Sequence, residues 1–189
     1  MEPTPRGSVI IQEWPEESRE AAQLVINQYG EPHEATPSLL TWFDVGPWKR
    51  MVASKSYYEH EFPAPHIDCV RSFVDYRVPP SLASDVVSFD GSVIIDRTVG
   101  EVSARCHDEQ ANFLALNLVD DIVQGKRTVE DARAYYAQEF LDARRKRPTP
   151  YMEKLRLEPT PGTAPDPDEP LLSQRDLEQA MEEGQQAGS

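Results

Sequence analysis

Apolar residues recur at helical spacing in five segments of the chain, and we predict each to be a helix. The most regular is residues 108–124, where an apolar stripe runs along the segment and Gly125 is suited to end it. Thr128 is suited to begin the next helix, because its hydroxyl can accept a hydrogen bond from a free backbone N–H. The remaining predicted helices are residues 15–29, residues 66–75 and a short helix around Leu82, Val86 and Val87.

Two pairs of extended segments, each rich in β-branched or aromatic residues around a turn, predict two β-hairpins. Their strands are expected at residues 39–45 and 49–58, around Gly46-Pro47, and at residues 92–98 and 101–106, around Val99-Gly100. Helices segregated around hairpins are typical of an α+β fold. We therefore predict an antiparallel sheet built from two hairpins, with helices packed on one side. The order of elements also fits a duplicated α-β-β-α unit.

Composition divides the chain into three parts. Residues 1–12 are expected to be a flexible N-terminal arm and residues 13–147 a single α+β domain. Residues 148–189 hold seven of the 17 prolines and nine acidic residues against three basic ones, so we expect a disordered acidic tail. Within this tail, residues 173–186 can form a short amphipathic helix against a partner, with Leu177 and Met181 on one side.

The overall charge restricts the partners of the protein. With 19 Lys and Arg against 33 Asp and Glu, the formal charge is −14, which argues against a generic basic nucleic-acid binder, and we expect no specific nucleic-acid partner. We find no apolar run of the length of a secretory signal or a membrane span, so a cytoplasmic protein without membrane contact is expected. Two cysteines among 189 residues exclude a disulfide-rich scaffold.

Several short segments resemble a family of uncharacterised bacterial proteins. They are Gly46-Pro47-Trp48-Lys49-Arg50, Asp75-Tyr76-Arg77-Val78-Pro79, Asp90-Gly91-Ser92-Val93-Ile94, Ser103-Ala104-Arg105-Cys106 and Asn112-Phe113-Leu114-Ala115-Leu116-Asn117. The resemblance covers roughly residues 15–145 and implies a bacterial source and a single domain, but no activity.

Histidine, cysteine and acidic residues are concentrated in two segments that suit a metal ion. His66, Asp68 and Cys69 lie in the first, and Cys106 and His107 in the second. Imidazole, thiolate and carboxylate are ligands of Zn²⁺ and Fe²⁺, although the spacing matches no established metal motif. The alternative is that both cysteines are core residues and that the second segment caps a helix. We favour this structural interpretation, and we expect no cofactor.

Cys106 is also a candidate nucleophile. It precedes the predicted helix 108–124, and the positive end of a helix lowers the pKa of a thiol. His66 or His107 would be the base, and Asp68 or Asp108 would orient it.

A third candidate is an anion site on the sheet. Arg105 shares a strand face with Ser103 and Glu101, because side chains alternate between the two faces. Arg97 and Arg50 are expected to extend this polar surface, which would bind a small anion through charge-assisted hydrogen bonds. A solvated face with cross-strand Arg–Glu pairs is the alternative.

These observations favour a non-enzymatic interaction or accessory protein that contacts a protein partner through its acidic tail, because no catalytic motif is found. The alternative is a small enzyme or a ligand- or metal-binding protein with a site around Cys106, His107 and His66.

Overall fold

A computed structural model of the chain describes residues 6–160 and 168–187. The helices in these ranges are α1 (Gly7–Ile10), α2 (Glu16–Tyr29), α3 (Ala83–Phe89), α4 (Glu109–Val123), α5 (Val129–Arg144) and α6 (Gln174–Ala187). Short 3₁₀ turns occupy Ile11–Glu13 and Pro80–Leu82. Asp108 and Thr128 begin α4 and α5, and each side chain accepts a hydrogen bond from the backbone N–H three residues later.

The strands form one antiparallel, six-stranded sheet. They are β1 (Glu34–Ala35), β2 (Leu39–Val45), β3 (Trp48–His60), β4 (His66–Asp75), β5 (Ile94–Asp96) and β6 (Glu101–Cys106). The order across the sheet is β1-β2-β3-β4-β6-β5, so β4 joins the two predicted hairpins. The predicted α+β class and antiparallel sheet are confirmed.

The main helices cover one face of the sheet. In β4, Val70, Ser72 and Val74 are buried and point to this face. Asn112 of α4 donates hydrogen bonds from its amide to the Val70 carbonyl and the Ser72 hydroxyl, 3.1 and 2.9 Å away. Met51 of β3 lies opposite Ser72 and lines a cavity together with residues of α2 and α4. Both helices therefore pack on the same side, as predicted.

The predicted helix over residues 66–75 is wrong, because this segment is the central strand β4. Ile67, Val70 and Val74 fit helical spacing, but the β-branched residues of the segment favour a strand, and in the structure buried and partly exposed side chains alternate over residues 70–75. The order of elements in the first half is consequently α-β-β-β. The proposed α-β-β-α duplication is not present.

The N-terminal segment also differs from the prediction. Residues 7–13 are helical rather than a flexible arm, and Ile11 is fully buried against the domain. The indole of Trp14 donates a hydrogen bond to the Pro37 carbonyl. The short apolar patch is thus part of the core. Residues 1–5 of the predicted arm lie outside the described residues.

The domain extends past residue 147, where the sequence analysis places its end. Residues 149–157, which we name the strap, pack against α4 and α5, and Leu157 is only 5% exposed. Asn117 of α4 donates hydrogen bonds to the carbonyls of Tyr151 and Lys154 and accepts one from the backbone N–H of Arg156. One buried amide therefore satisfies three backbone groups of an irregular segment, which composition alone did not indicate.

Beyond the strap, residues 161–167 of the predicted disordered tail lie outside the described residues. Helix α6 coincides with the predicted helix 173–186, and every described residue in it is exposed. Over residues 6–160 and 168–187, no helix combines the length and the apolar character required to cross a membrane.

Removing the strap should destabilise the domain. We expect a chain ending at residue 147 to have a lower melting temperature and free energy of unfolding than the full chain, because the surface under Leu157 becomes exposed. Leu157→Ala in the full chain should cost about 2–5 kcal/mol, as for other buried leucines. Thermal and urea denaturation followed by circular dichroism measure both effects.

A chain ending at residue 170 is the matched control. It retains the strap and lacks α6, so its stability should equal that of the full chain. Equal stability of the chains ending at residues 147 and 170 would contradict a structural role for the strap.

Candidate metal centre

Two histidines face each other where β3 ends and β4 begins. His60 and His66 are direct partners in the strand register, and their ring centroids are 5.0 Å apart. Next to them, Tyr58 and Asp68 are partners in the same ladder. Alternation along β4 places Asp68 on the same side of the strand as His66. The hairpin geometry thus brings two imidazoles and one carboxylate together.

The Asp68 carboxylate lies between the two imidazoles. Its Oδ1 is 3.2 Å from Nε2 of His66, and its Oδ2 is 3.4 Å from Nδ1 of His60. Asp68 Oδ1 and His60 Nδ1 are both buried and make no hydrogen bond to any described residue. One donor atom from each of the three side chains lies within 4.8 Å of the other two. This cluster of His60, His66 and Asp68 is hereafter called the triad.

Each imidazole has a second acceptor on its far side. His66 Nδ1 is 2.9 Å from the Ala64 carbonyl, to which it donates, so Nε2 is left without a proton in the neutral ring. His60 Nε2 is 3.8 Å from Oδ1 of Asp90, which directly follows α3. An outer acceptor on the second ring nitrogen is the usual companion of a metal-bound histidine.

The carboxylates of the triad region are buried and, among the described residues, form no ion pair with lysine or arginine. The side chains of Asp68 and Asp90 are 3% and 2% exposed, and buried carboxylates need a cation or several hydrogen bonds. The aromatic ring of Phe62 packs near His60, and that of Phe140 near His66. In the part of the chain that the structure describes, the ion-pair partners of Asp68 and Asp90 are only these histidines.

The spacing of the donor atoms suits a tetrahedral ion. Zinc–ligand bonds of about 2.0–2.1 Å at tetrahedral angles place neighbouring donor atoms about 3.3 Å apart. Each imidazole nitrogen lies close to this distance from one Asp68 oxygen, His66 Nε2 at 3.2 Å from Oδ1 and His60 Nδ1 at 3.4 Å from Oδ2. To bind the same ion through a single oxygen, the Asp68 carboxylate would have to rotate. Three protein ligands leave a fourth position for water, which a bound ion would polarise.

Two groups at this site have raised pKa values, each for a different reason. Burial alone would lower the pKa of His66, but the neighbouring Asp68 carboxylate and the Ala64 carbonyl outweigh burial and raise it. Burial raises the pKa of Asp90, although hydrogen bonds from Ser92 and the charge of His60 oppose the shift. Without an ion, a proton on His66 is therefore the alternative source of positive charge.

The triad includes two residues that the sequence analysis selected, His66 and Asp68, and one that it missed, His60. The candidate ligands Cys69, Cys106 and His107 are not part of it. Cys69 follows Asp68 on β4 and is buried in the hydrophobic core. His60 was missed because the erroneous helix 66–75 concealed the hairpin that pairs it with His66.

Cys106 does not have the properties expected of a nucleophile. It lies within β6 and is only 6% exposed, and burial and the Asp108 carboxylate raise its thiol pKa well above the usual value. This direction is opposite to the predicted lowering by the helix dipole. Asp108 instead caps α4 by accepting a hydrogen bond from the Ala111 N–H, in agreement with the structural interpretation of this segment.

The three predicted anion-binding arginines are in different surroundings. Arg50 forms an ion pair with Glu101 and lies over the Phe73 ring. Arg97 follows β5, pairs with Asp168 and lines a cavity of about 260 Å³. Arg105 lies over the ring of Tyr58, 4.4 Å from its centroid. The structure therefore does not unite these three side chains in one site.

Comparison with known proteins identifies no relative: no family model, no curated protein and no solved structure matches the chain.

Both thiols should be unreactive in the folded protein. Burial raises the pKa of Cys69 to about 12 and also raises the pKa of Cys106 well above its usual value. Since only the thiolate reacts, alkylation should stay slow up to about pH 9, where ordinary thiols are ionised. Labelling with iodoacetamide, followed by mass spectrometry, should modify neither residue in the native state.

The same reaction in guanidinium chloride is the control, and it should label both cysteines. Rapid modification of Cys106 in the native protein at neutral pH would restore the nucleophile hypothesis.

Proposed function

We propose that the protein binds a divalent transition-metal ion of the Zn²⁺ type through the triad. Imidazole nitrogen and carboxylate oxygen are both good ligands for such an ion. The ion would connect the β3–β4 hairpin to the end of α3 through the outer contact between His60 and Asp90. This is the metal-binding form of the alternative hypothesis from the sequence, with His60 and Asp68 in place of Cys106 and His107.

One observation carries the proposal: both imidazoles present one nitrogen to Asp68 and the other to a separate acceptor. When His66 donates to Ala64 in the neutral state, its Nε2 lone pair faces a carboxylate oxygen at 3.2 Å. Two acceptors at this distance repel each other unless a cation lies between them. A divalent ion supplies that charge and also balances the two buried carboxylates.

Metal binding is tested on full-length protein after dialysis against EDTA. We expect saturable one-to-one binding of Zn²⁺ by titration calorimetry, and visible absorption bands of a tetrahedral complex with Co²⁺. At a hundredfold excess of free Zn²⁺ over the Kd, binding to the native state adds about 2.7 kcal/mol to stability. For a domain of this size, that corresponds to a rise of about 5–10 °C in melting temperature.

Four variants locate the site. His60→Ala, His66→Ala and Asp68→Asn should each abolish the Zn²⁺-dependent rise, and Asp90→Asn should weaken affinity about 10–100-fold because it replaces the charged outer acceptor with a neutral amide. His107→Ala is the matched control, since it removes a histidine outside the triad. Absence of saturable binding, or equal loss in the control, would contradict the proposal and favour a protonated His66.

A second candidate function, a protein contact through α6, is supported by the exposure of its apolar side. Leu177 and Met181 are 47% and 67% exposed, and they lie four residues apart on a helix that also carries Asp176, Glu178 and Glu182. An acidic helix with one apolar stripe suits an apolar groove with basic residues at its rim. This is the interaction hypothesis from the sequence.

We expect capture of such a partner from native lysate by the full chain and its loss from a chain ending at residue 170. Leu177→Asp should reduce capture as strongly as the truncation does, because it places a charge on the apolar side. Gln179→Asp is the matched control, since it adds the same charge about 200° around the helix from Leu177. Equal capture by the full chain, the chain ending at residue 170 and the two variants would exclude α6 as the binding segment.

A further inference from the structure

The face of the sheet opposite the main helices carries two adjacent arginines, Arg71 on β4 and Arg105 on β6. They are direct partners in the antiparallel register, so their side chains leave neighbouring strands at the same level and on the same side. Like charges in this position destabilise a sheet. A negative charge beside the two guanidinium groups would therefore stabilise this part of the sheet.

The carboxylates on this side of the sheet are already neutralised by other cations. Glu101 is within 2.9 Å of Arg50 and 3.3 Å of Lys49, and Lys49 also binds Asp75 at 2.6 Å. Within residues 6–160 and 168–187, neither Arg71 nor Arg105 forms an ion pair with a carboxylate. The two guanidinium groups thus form a local excess of positive charge on a protein of formal charge −14.

Both side chains are held in place and partly removed from water. Arg71 donates a hydrogen bond to the Ser103 hydroxyl at 3.1 Å, and Arg105 lies over the Tyr58 ring. The Nε of Arg105 is buried and has no hydrogen-bond partner among the described residues. Burial, together with the charge of Arg105, lowers the pKa of Arg71. Unpaired donors that are already oriented lose little side-chain freedom when a ligand binds.

From this juxtaposition we propose that Arg71 and Arg105 form a binding site for a dianionic oxyanion of the phosphate type. Two guanidinium groups offer several N–H donors to the oxygens of one tetrahedral anion, and their combined charge matches that of a dianion. Ser103 adds a hydroxyl beside Arg71. The exposed ring of Tyr58 forms one wall, against which the organic part of a phosphorylated small molecule can pack.

This site is separate from the triad. Arg71 is an odd-numbered residue of β4 and points away from the main helices, whereas His66 and Asp68 are even-numbered and point toward them. Asp68 nevertheless acts on both sites, because its charge opposes the lowering of the Arg71 pKa. Measurements on EDTA-treated protein, repeated with His66→Ala, therefore keep the two proposals distinguishable, because His66→Ala disrupts the triad and leaves the Asp68 charge in place.

Inorganic phosphate is the probe, titrated into the full chain at constant ionic strength with chloride as the balancing ion. We expect a saturable rise in melting temperature and a matching calorimetric isotherm. Sulfate, which has the same shape and charge, should compete.

Arg71→Gln and Arg105→Gln should each weaken phosphate binding at least tenfold. In phosphate-free buffer their melting temperatures should not fall below that of the wild type, because the like-charge contact is relieved.

Arg144→Gln is the matched control, since Arg144 is exposed at the end of α5 and lies over Phe140 rather than on the sheet. It should leave the phosphate affinity unchanged. The proposal is overturned if phosphate and chloride raise the melting temperature equally at equal ionic strength. It is also overturned if Arg144→Gln loses phosphate affinity as strongly as Arg71→Gln and Arg105→Gln. It is also overturned if Arg105→Gln lowers the melting temperature equally with and without phosphate, which would assign Arg105 to packing against Tyr58.

Discussion

The alternation of side chains along β4 is the constraint on which the rest of the molecule depends. This central strand pairs with β3 on one side and β6 on the other, so its register fixes both halves of the sheet. Its even-numbered residues enter the core under α2 and α4 and provide His66 and Asp68. Its odd-numbered residues supply Arg71 on the opposite face. A shift by one residue would exchange the two sets and destroy the core and both candidate sites together.

The two sites carry opposite charge imbalances across one layer of the sheet. On the helix side, Asp68 and Asp90 are buried carboxylates whose only cationic partners among the described residues are histidines. On the opposite side, Arg71 and Arg105 are cations that form no ion pair with a carboxylate in the part of the chain that the structure describes. Groups of opposite charge that could have neutralised each other are instead held apart by the backbone. Such separation costs stability, and bound ions of the matching sign are a direct way to offset it.

Much of the fold was predictable because several segments carry a single, strong pattern. Residues 108–124 fit a helix and nothing else, and the two hairpins have clear turns. Residues 66–75 have sequence features of both a helix and a strand, and only the pairing with β3 and β6 decides between these two structures. That decision also determines the site, since His60 meets His66 only across a hairpin. The strap was unpredictable for a different reason: its order depends on Asn117, which lies more than thirty residues away in sequence.

The strap has a consequence for the growing chain on the ribosome. Helices α4 and α5 are synthesised before residues 149–157, so the surface that Leu157 covers stays open while the strap is still inside the ribosome. During this interval, Asn117 lacks its backbone partners. The nascent chain is then a natural client for chaperones that shield apolar surface. The domain is complete only when this short, irregular segment has left the ribosome and packed against α4 and α5.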